Sequence, residues 1–376
     1  MQNSNPQKSA LVIASGGAHG AFAMGAVDYL VNVARKEFNV FAGTSTGALI
    51  APLVATGNTD LLLHIYQSVQ TTDILSSRPA INALTLQDAL NSAEPLYTLI
   101  NDTFTDARCT EILNDHRVFI ATVNLASGNT VVFHTGEHAP THAYTNGSYN
   151  SLAYLPIKDK NTLIQSIKAS SAIPIYMPPV QIPSDESACI LPASSANGED
   201  CIIHPADWYV DGGVREVAPL RAAIDEGVHE IYAILLEPLA LPRANRFTGE
   251  DPPRVLSTLG RMIGLFLNEV LENEVANARA SEQIRRDFTD YINNLKSTLI
   301  AKIGQAEAIE EVFDELASVQ PLSGEPYKLY VIRPKEKLPG GGREFVPQQM
   351  SYKMELGWQE AMESLKYPMT LLRTGS

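Results

Sequence analysis

The sequence predicts an α/β fold with a mostly parallel central sheet, and the first part of the chain carries that prediction. Short apolar runs at 10–14 and 38–42 are typical of buried strands. Each run leads through a glycine-containing turn into a helical stretch, at 21–35 and at 48–55. Because strands and helices alternate, we expect the strands to run parallel and to be joined by right-handed crossovers.

The remaining elements follow from apolar spacing and turn residues. In chain order we expect helices over 58–104 with a looser stretch at 76–80, strands at 116–124 and 130–134, a helix at 161–171, an extended segment at 173–183, a polar surface insertion at 184–200, a strand at 208–210, a helix at 216–226, a strand at 230–236, a strand at 328–332 and a helix at 351–365. The helix before Pro174 must stop there, because the residue preceding a proline avoids helical backbone.

A long helical region interrupts this pattern. Residues 254–318 have the apolar spacing of amphipathic helices and follow a proline-rich connection. We therefore expect an α/β core at 8–240, a helical insertion at 241–320 that serves as a lid or an interaction surface, and a C-terminal strand and helix at 321–370 that complete the core.

Composition and charge narrow the function classes. The chain has 376 residues, of which 45% are apolar and 19% charged, as in globular proteins with a sizeable core. The net charge of −14 argues against nucleic acid as a partner and against strong electrostatic attraction to anionic membranes. Contact with a membrane through an apolar patch is compatible with this charge.

The lack of recognisable targeting signals, together with the cysteine pattern, predicts a cytoplasmic protein. No apolar run reaches the roughly 18 to 20 residues that span a bilayer, and the polar start at 1–9 does not resemble a signal peptide. A leaderless export route would leave no trace here. Cys189 and Cys201 bracket a polar loop and would pair only in an oxidising compartment, whereas Cys109 is expected in the core.

The pentad at 43–47, Gly-Thr-Ser-Thr-Gly, stands between a predicted strand and a predicted helix. A serine in this position lies on a strained turn that exposes its hydroxyl group, with the positive end of a helix dipole beside it. Ser45 is therefore a candidate nucleophile. The alternative, a glycine-rich turn before a helix, fits the pentad alone equally well.

A second glycine turn follows the first strand. Gly16, Gly17 and Ala18 open a helix, so their backbone N–H groups have no intrahelical acceptors and could bind an oxyanion. The competing interpretation is a dinucleotide fingerprint, which fits poorly. Its first glycine would be Ser15, and no carboxylate closes the second strand where a ribose-binding acid is expected.

Asp211 is the candidate partner for Ser45. It ends a predicted strand, and it lies at the same end of the sheet as Ser45 if its strand is parallel to the second one. A plain Asp-Gly-Gly turn is the alternative. A Ser-His-Asp triad is disfavoured, because His229 alone follows Asp211 and it precedes a strand. The carboxylate would then act directly as the base, provided that it is held against the hydroxyl in a partly desolvated pocket.

Two further patterns are weak. His134, His138 and His142 recur every four residues, but Gly136 and Pro140 between them argue against a metal-binding helix face. The three glycines at 340–342 lack a following Lys-Ser/Thr pair and are read as a loop rather than a phosphate cradle.

Four blocks of the sequence together resemble those of the patatin-like phospholipases. They are Gly-Gly-Ala-His-Gly at 16–20, Gly-Thr-Ser-Thr-Gly at 43–47, Ala-Ser-Ser-Ala-Ile-Pro at 169–174 and Asp-Gly-Gly at 211–213. Each block is weak alone, but four in this order and spacing are specific. The resemblance covers residues 10 to 236 and is expected to resume from 328 to 365.

The resemblance implies a three-layer α/β/α fold and a serine–aspartate dyad that cleaves acyl esters of lipids through an acyl-enzyme. The implied site residues are Ser45 as nucleophile, Asp211 as general base, Gly16, Gly17 and Ala18 as the oxyanion hole, and Ile173, Pro174 and Met177 as walls of the acyl pocket. It implies a lipid or phospholipid substrate, transient contact with a membrane surface, and neither a metal nor another cofactor. His19 departs from the family, which often has Arg or Lys there, and this change is expected to alter head-group preference or oxyanion strength.

Two other functions stay open at this point. One is a different enzyme, a Ser-His-Asp esterase or an acyltransferase. The other is an inactive lipid-binding or scaffold protein that keeps the same fold.

Overall fold

The computed structural model describes residues 8–78, 88–139, 152–182, 188–189, 202–203, 207–239, 255–319 and 326–366. Of the predicted surface insertion at 184–200, only 188–189 belong to these ranges, and Cys201 lies outside them. The pairing of Cys189 with Cys201 therefore stays a prediction. Cys109 is buried, as expected.

A nine-stranded sheet forms the centre of the protein. Its strands are β1 (Ser9–Ile13), β2 (Val40–Thr44), β3 (Arg117–Asn124), β4 (Thr130–His134), β5 (Leu152–Pro156), β6 (Val180–Gln181), β7 (Trp208–Asp211), β8 (Glu230–Ile234) and β9 (Lys328–Ile332). The order across the sheet is β9-β8-β1-β2-β3-β7-β6, and β4 pairs with β3 and β5. The neighbours from β9 to β3 are parallel, whereas β7 is antiparallel to β3 and β6.

Helices flank this sheet and make a three-layer α/β/α arrangement, which confirms the predicted fold class. In the described ranges the α-helices are α1 (Gly20–Asp28), α2 (Thr46–Ala55), α3 (Thr59–Ser68), α4 (Glu94–Thr103), α5 (Asp106–Asp115), α6 (Lys160–Ser170), α7 (Leu220–Asp225), α8 (Val255–Ile303), α9 (Ala306–Val319) and α10 (Pro347–Lys366). All residues of β1 and β2 are buried, as expected for parallel strands that are covered on both faces.

The C-terminal helix is packed directly against the first one. A β-carbon at Gly25 would overlap the carbonyl of Met354, and one at Gly357 would overlap the carbonyl of Phe22. The backbones of α1 and α10 can approach this closely only because both positions are glycine. Helix α10 is therefore fixed with respect to the glycine turn that precedes α1.

Strand β3 brings the ends of two other strands together. Its residues 119–123 pair with β4, 117–121 with β2, and 122–124 with β7. Since β4 overlaps both of the other partners, β2 and β7 must share the opposite edge of β3. They run towards each other along that edge, so that their C-terminal ends meet.

Two helices lie within the range that was predicted as a helical insertion. Helix α8 has 49 residues and is about 73 Å long at 1.5 Å per residue. The helix ends before Gly304, where φ is 75°, and α9 begins two residues later. Leu271, Val275 and Ala278 of α8 are buried in the core. Beyond them, the far part of α8 and helix α9 are largely exposed.

The helix predicted at 216–226 is shorter than expected, because α7 begins only at Leu220. The carboxylate of Glu274 in α8 instead accepts hydrogen bonds from the N–H groups of Val217 and Ala218, at 2.7 and 2.8 Å. These bonds hold the segment before α7 in a turn. In the described ranges, no helix is both long enough and apolar enough to cross a bilayer.

Candidate active site

Ser45 lies on the turn between β2 and α2, in a backbone conformation that is rare for a residue other than glycine. Its φ is 57° and its ψ is −119°. A β-carbon at Gly43 would collide with the backbone of Gly47, and one at Gly47 would collide with the carbonyl of Ile13. Both glycines of the pentad are thus required for the turn, and the strained serine is what a nucleophile elbow needs.

Asp211 is the last residue of β7 and hydrogen-bonds to the side chain of Ser45. Its Oδ1 also accepts a hydrogen bond from the N–H of Gly213 at 2.8 Å, and its own N–H donates to Ala172 O at 3.0 Å. The residue is 4% exposed. Backbone groups on both sides therefore fix the carboxylate against the serine hydroxyl.

Burial changes the acidity of this carboxyl group. Desolvation raises the pKa of Asp211 to about 6, against the opposing effect of the hydrogen bonds from Ser45 and the Gly213 N–H. A carboxylate with a pKa of about 6 is a stronger base than an ordinary aspartate, yet it is still mostly ionised at pH 7. The condition set by the sequence, a carboxylate in a partly desolvated pocket, is met.

Ser170, in the third of the four blocks, holds the turn that carries Ser45. The N–H of Ser45 donates to Ser170 Oγ at 2.9 Å, and Ser170 Oγ donates to Ala121 O at 2.6 Å. One hydroxyl group thus links the turn to strand β3. Ser170 belongs to one of the four blocks, but its role could not be predicted, because no local pattern reveals a partner 125 residues away.

The glycine turn at 16–18 lies beside Ser45, and it is less open than predicted. Gly17 lines the same cavity as Ser45 and has a φ of 54°. The N–H groups of Gly16 and Gly17 have no acceptor among the described residues, but the N–H of Ala18 donates to Gly342 O at 2.7 Å. Ala18 is therefore not a free donor in this conformation, and our expectation of three free amides is corrected to two.

An apolar cleft of about 800 Å³, including its open mouth, extends from Ser45. Its apolar lining residues are Leu49, Leu53, Leu62, Ile65, Val69, Ile74, Leu75, Leu96, Leu99, Ile100, Phe104, Ile173, Met177 and Phe345. Ile173 and Met177 were predicted there, whereas Pro174 is not among the residues that line the cleft. Half of these apolar residues belong to helices α2, α3 and α4, which were not predicted to contribute to the site.

The histidines do not complete a triad within the described ranges. His229 precedes β8 and accepts a hydrogen bond from Lys8 N at 3.2 Å, so it lies at the N-terminal ends of the strands, away from Ser45. His19 is buried, with Nδ1 3.5 Å from Glu237 Oε1, and does not line the cleft. Its effect on head-group preference stays a prediction. His204 lies outside the described residues.

The histidine series has no helical face. His134 is the last residue of strand β4, where its Nδ1 lies 3.1 Å from Arg117, and His138 follows in an exposed loop. His142 is not among the described residues. In the part of the chain that the structure describes, no cluster of three His, Cys, Asp or Glu side chains could hold a metal ion.

Fold and site together define an α/β protein with a strained serine that lines an apolar cleft and lies beside a buried aspartate. The chain belongs to the patatin-like phospholipase family, whose family model matches residues 11–224. Members of this family are in general lipid acyl hydrolases, and the family implies a lipid substrate. The resemblance seen in the four blocks is thereby confirmed.

Other comparisons add little. Among solved structures, the crystal structure of VipD from Legionella pneumophila is similar, with a TM-score of 0.39 and 11% sequence identity. That match covers 96% of this chain and 67% of VipD. None of the curated proteins compared with the chain matches it.

Proposed function

We propose that the protein is a serine lipid acyl hydrolase, of the phospholipase A or lysophospholipase type, with Ser45 as its nucleophile and Asp211 as its general base. One observation carries this proposal. The hydroxyl group of Ser45 is hydrogen-bonded to a buried carboxylate at the mouth of an apolar cleft. A nucleophile, a base and a place for an acyl chain thus adjoin one another.

In the first half of the reaction, Ser45 Oγ attacks the ester carbonyl while its proton moves to Asp211. A tetrahedral intermediate forms, and the C–O bond to the alcohol then breaks as Asp211 returns the proton to the leaving oxygen. In the second half, Asp211 takes a proton from water, which attacks the acyl-enzyme. The fatty acid leaves, and Ser45 recovers its proton.

The negative oxygen of the intermediate needs hydrogen-bond donors. The free amides of Gly16 and Gly17 are the candidates, because Gly17 borders the cleft beside Ser45. A single donor of this kind is typically worth about 3 to 4 kcal/mol in the transition state. The N-terminus of α2, directly after Ser45, adds a favourable dipole.

The cleft fits a fatty acyl chain better than a polar substrate. Its walls are aliphatic and aromatic side chains, and Thr46 and Tyr66 within it satisfy each other by a hydrogen bond between their hydroxyl groups. A polar substrate would find few free partners there, whereas a hydrocarbon chain gains from leaving water.

A fluorophosphonate probe and a fatty-acid release assay on phospholipid vesicles test this proposal. Ser45→Ala should lose both labelling and release. Ser68→Ala is the matched control, because that exposed hydroxyl group bonds only within α3, to the carbonyls of His64 and Ile65. If Ser45→Ala is labelled and releases fatty acid like the wild type, Ser45 is not the nucleophile. A wild type that is neither labelled nor active would instead favour a lipid-binding scaffold.

A further inference from the structure

A buried lysine lies under the glycine turn. Lys353 of helix α10 is 0% exposed, and its Nζ donates to the carbonyl oxygen of Ala18 at 3.4 Å. Among the described residues, no carboxylate lies within ion-pair distance of it. A buried ammonium group with so little compensation is costly, and an apolar side chain of similar volume would pack there without that cost.

The lysine is charged under ordinary conditions. Burial lowers the pKa of Lys353 to about 8, and the carboxylate of Glu344, in the loop before α10, acts in the opposite direction. The amine is therefore mostly protonated at pH 7. A positive charge thus lies directly behind the turn that borders Ser45.

The Ala18 residue is held on both sides by one C-terminal segment. Its N–H donates to Gly342 O, and its carbonyl accepts from Lys353, eleven positions later along the same segment. The backbone of Lys353 cannot shift easily, because α10 packs closely against α1 at Gly25 and Gly357. The two contacts therefore fix where the glycine turn lies relative to Ser45.

We propose that Lys353 is a positioning residue for the reaction, whose ammonium group holds the carbonyl of Ala18 and so keeps the glycine turn, with its Gly16 and Gly17 amides, in place for the oxyanion. This inference rests on the proposed function. Because the lysine does not line the cleft, a substrate bound there would not touch it. It acts through the turn, and its positive charge adds to the potential that favours the negative transition state.

Lys353→Met tests the inference, because methionine is similar in length and lacks both the charge and the donor. We expect kcat and the rate of fluorophosphonate labelling to fall at least tenfold while KM stays within twofold, since the cleft is unchanged. The thermal midpoint should stay the same or rise, because a buried charge is removed. Met350→Leu, a volume-conserving change at another fully buried position of α10, is the control and should leave all of these quantities unchanged.

The outcomes separate a positioning role from a filling role. A Lys353→Met enzyme with wild-type kcat and labelling rate would overturn the inference and leave the proposed function intact. A lower thermal midpoint, with a kcat per mole of folded enzyme equal to that of the wild type, would also overturn it. If the Ser45→Ala variant keeps the activity of the wild type, the proposed function is overturned and, with it, this role for Lys353.

Discussion

Thr44 and Asp211 pair with consecutive residues, Ala121 and Thr122, on the same edge of strand β3. The C-terminal ends of β2 and β7 therefore meet head to head, and Ser45, one residue beyond Thr44, comes within hydrogen-bond reach of the Asp211 carboxylate. Residues separated by 166 positions are thus brought together by a single strand that serves both.

Asp211→Asn should abolish most activity. The amide keeps the shape of the side chain and can still bond to Ser45, but it cannot accept the proton of the hydroxyl group. We expect kcat to fall by about 10² to 10⁴, the usual range for a general base. Steady-state kinetics on a soluble ester give this number. Asp106→Asn, at an exposed carboxylate paired with Lys160, is the control and should behave as the wild type.

The same variant should be more stable at neutral pH. Because the pKa of Asp211 is about 6 in the folded protein against 3.8 as the ordinary value, the folded state binds the proton more tightly. The free energy of unfolding therefore falls as pH rises from about 4 to 6, by about 3 kcal/mol for two pK units. At pH 7, Asp211→Asn should have a higher free energy of unfolding than the wild type, and this difference should largely vanish at pH 4. Equal stability of the two proteins at pH 7 would contradict the raised pKa.

Activity should have an acidic limb set by the same group. A base must be ionised to accept a proton, so kcat/KM, which reports the pKa values of the free enzyme, should rise with pH through an apparent pKa near 6 and level off above it. Rates measured between about pH 4.5 and 7.5 at constant ionic strength would show the limb. A profile that stays flat down to pH 4.5 would mean that Asp211 is not the base.

Ser170→Ala should cost both stability and activity. It leaves the N–H of Ser45 and the carbonyl of Ala121 without that partner, and buried groups of this kind cost about 1 to 3 kcal/mol each. The nucleophile turn would also lose its anchor, so we expect kcat to fall about tenfold to a hundredfold. Denaturant unfolding and kinetics measure the two effects.

Ser166→Ala is the matched control for this change. Ser166 is an equally buried serine of the same helix, but its hydroxyl group donates only to Leu163 O, one turn away. Its loss should change stability by about 1 kcal/mol or less and leave kcat unchanged. If the two alanine variants have the same kcat and the same stability, the hydrogen bond between Ser170 and Ser45 does not contribute to activity.

Gly17→Ala should impair the glycine turn. Its φ is 54°, and a β-carbon would collide with the carbonyl of Gly342. Either the turn or the 340–342 loop must move, so we expect kcat/KM to fall at least about tenfold, in line with the cost of small displacements at reacting groups. Gly57→Ala is the control, because φ there is 68° and nothing lies within 4 Å of the added carbon. It should lose about 1 kcal/mol of stability and keep its activity. Full activity in Gly17→Ala would show that the turn has no part in catalysis.

The sequence predicts the local parts of the site well. The strand expected at 10–14 is Ser9–Ile13, and the one at 38–42 is Val40–Thr44, with the serine turn directly after it. Apolar runs of this length, followed by glycines, have few other solutions in a parallel sheet. The family blocks then mark the residues that the fold must bring together.

The direction of β7 could not be read in the same way. Our expectation that Asp211 lies at the same end as Ser45 depended on a parallel strand, and β7 is antiparallel to β3 instead. The two residues still meet, because β7 continues the edge where β2 stops. Strand direction depends on the path of the whole chain between β5 and β7, to which the apolar run at 208–210 contributes nothing.

The cleft and the contacts of the C-terminal segment could not be predicted from the sequence either. The apolar faces of α2, α3 and α4 look the same whether they pack on another helix or border a cavity. Likewise, the glycines at 340–342 were interpreted as a loop, and only the fold shows that Gly342 contacts Ala18. Contacts between distant segments leave no periodic pattern.

The hydrogen bonds of Glu274 limit how much of α8 can be deleted from the protein. Because the carboxylate of Glu274 accepts hydrogen bonds from the N–H groups of Val217 and Ala218, deletion of α8 would remove this support from the loop that follows Asp211. A shortened version should therefore keep α8 as far as Ala278, including the three residues that are buried in the core, and rejoin the chain beyond it.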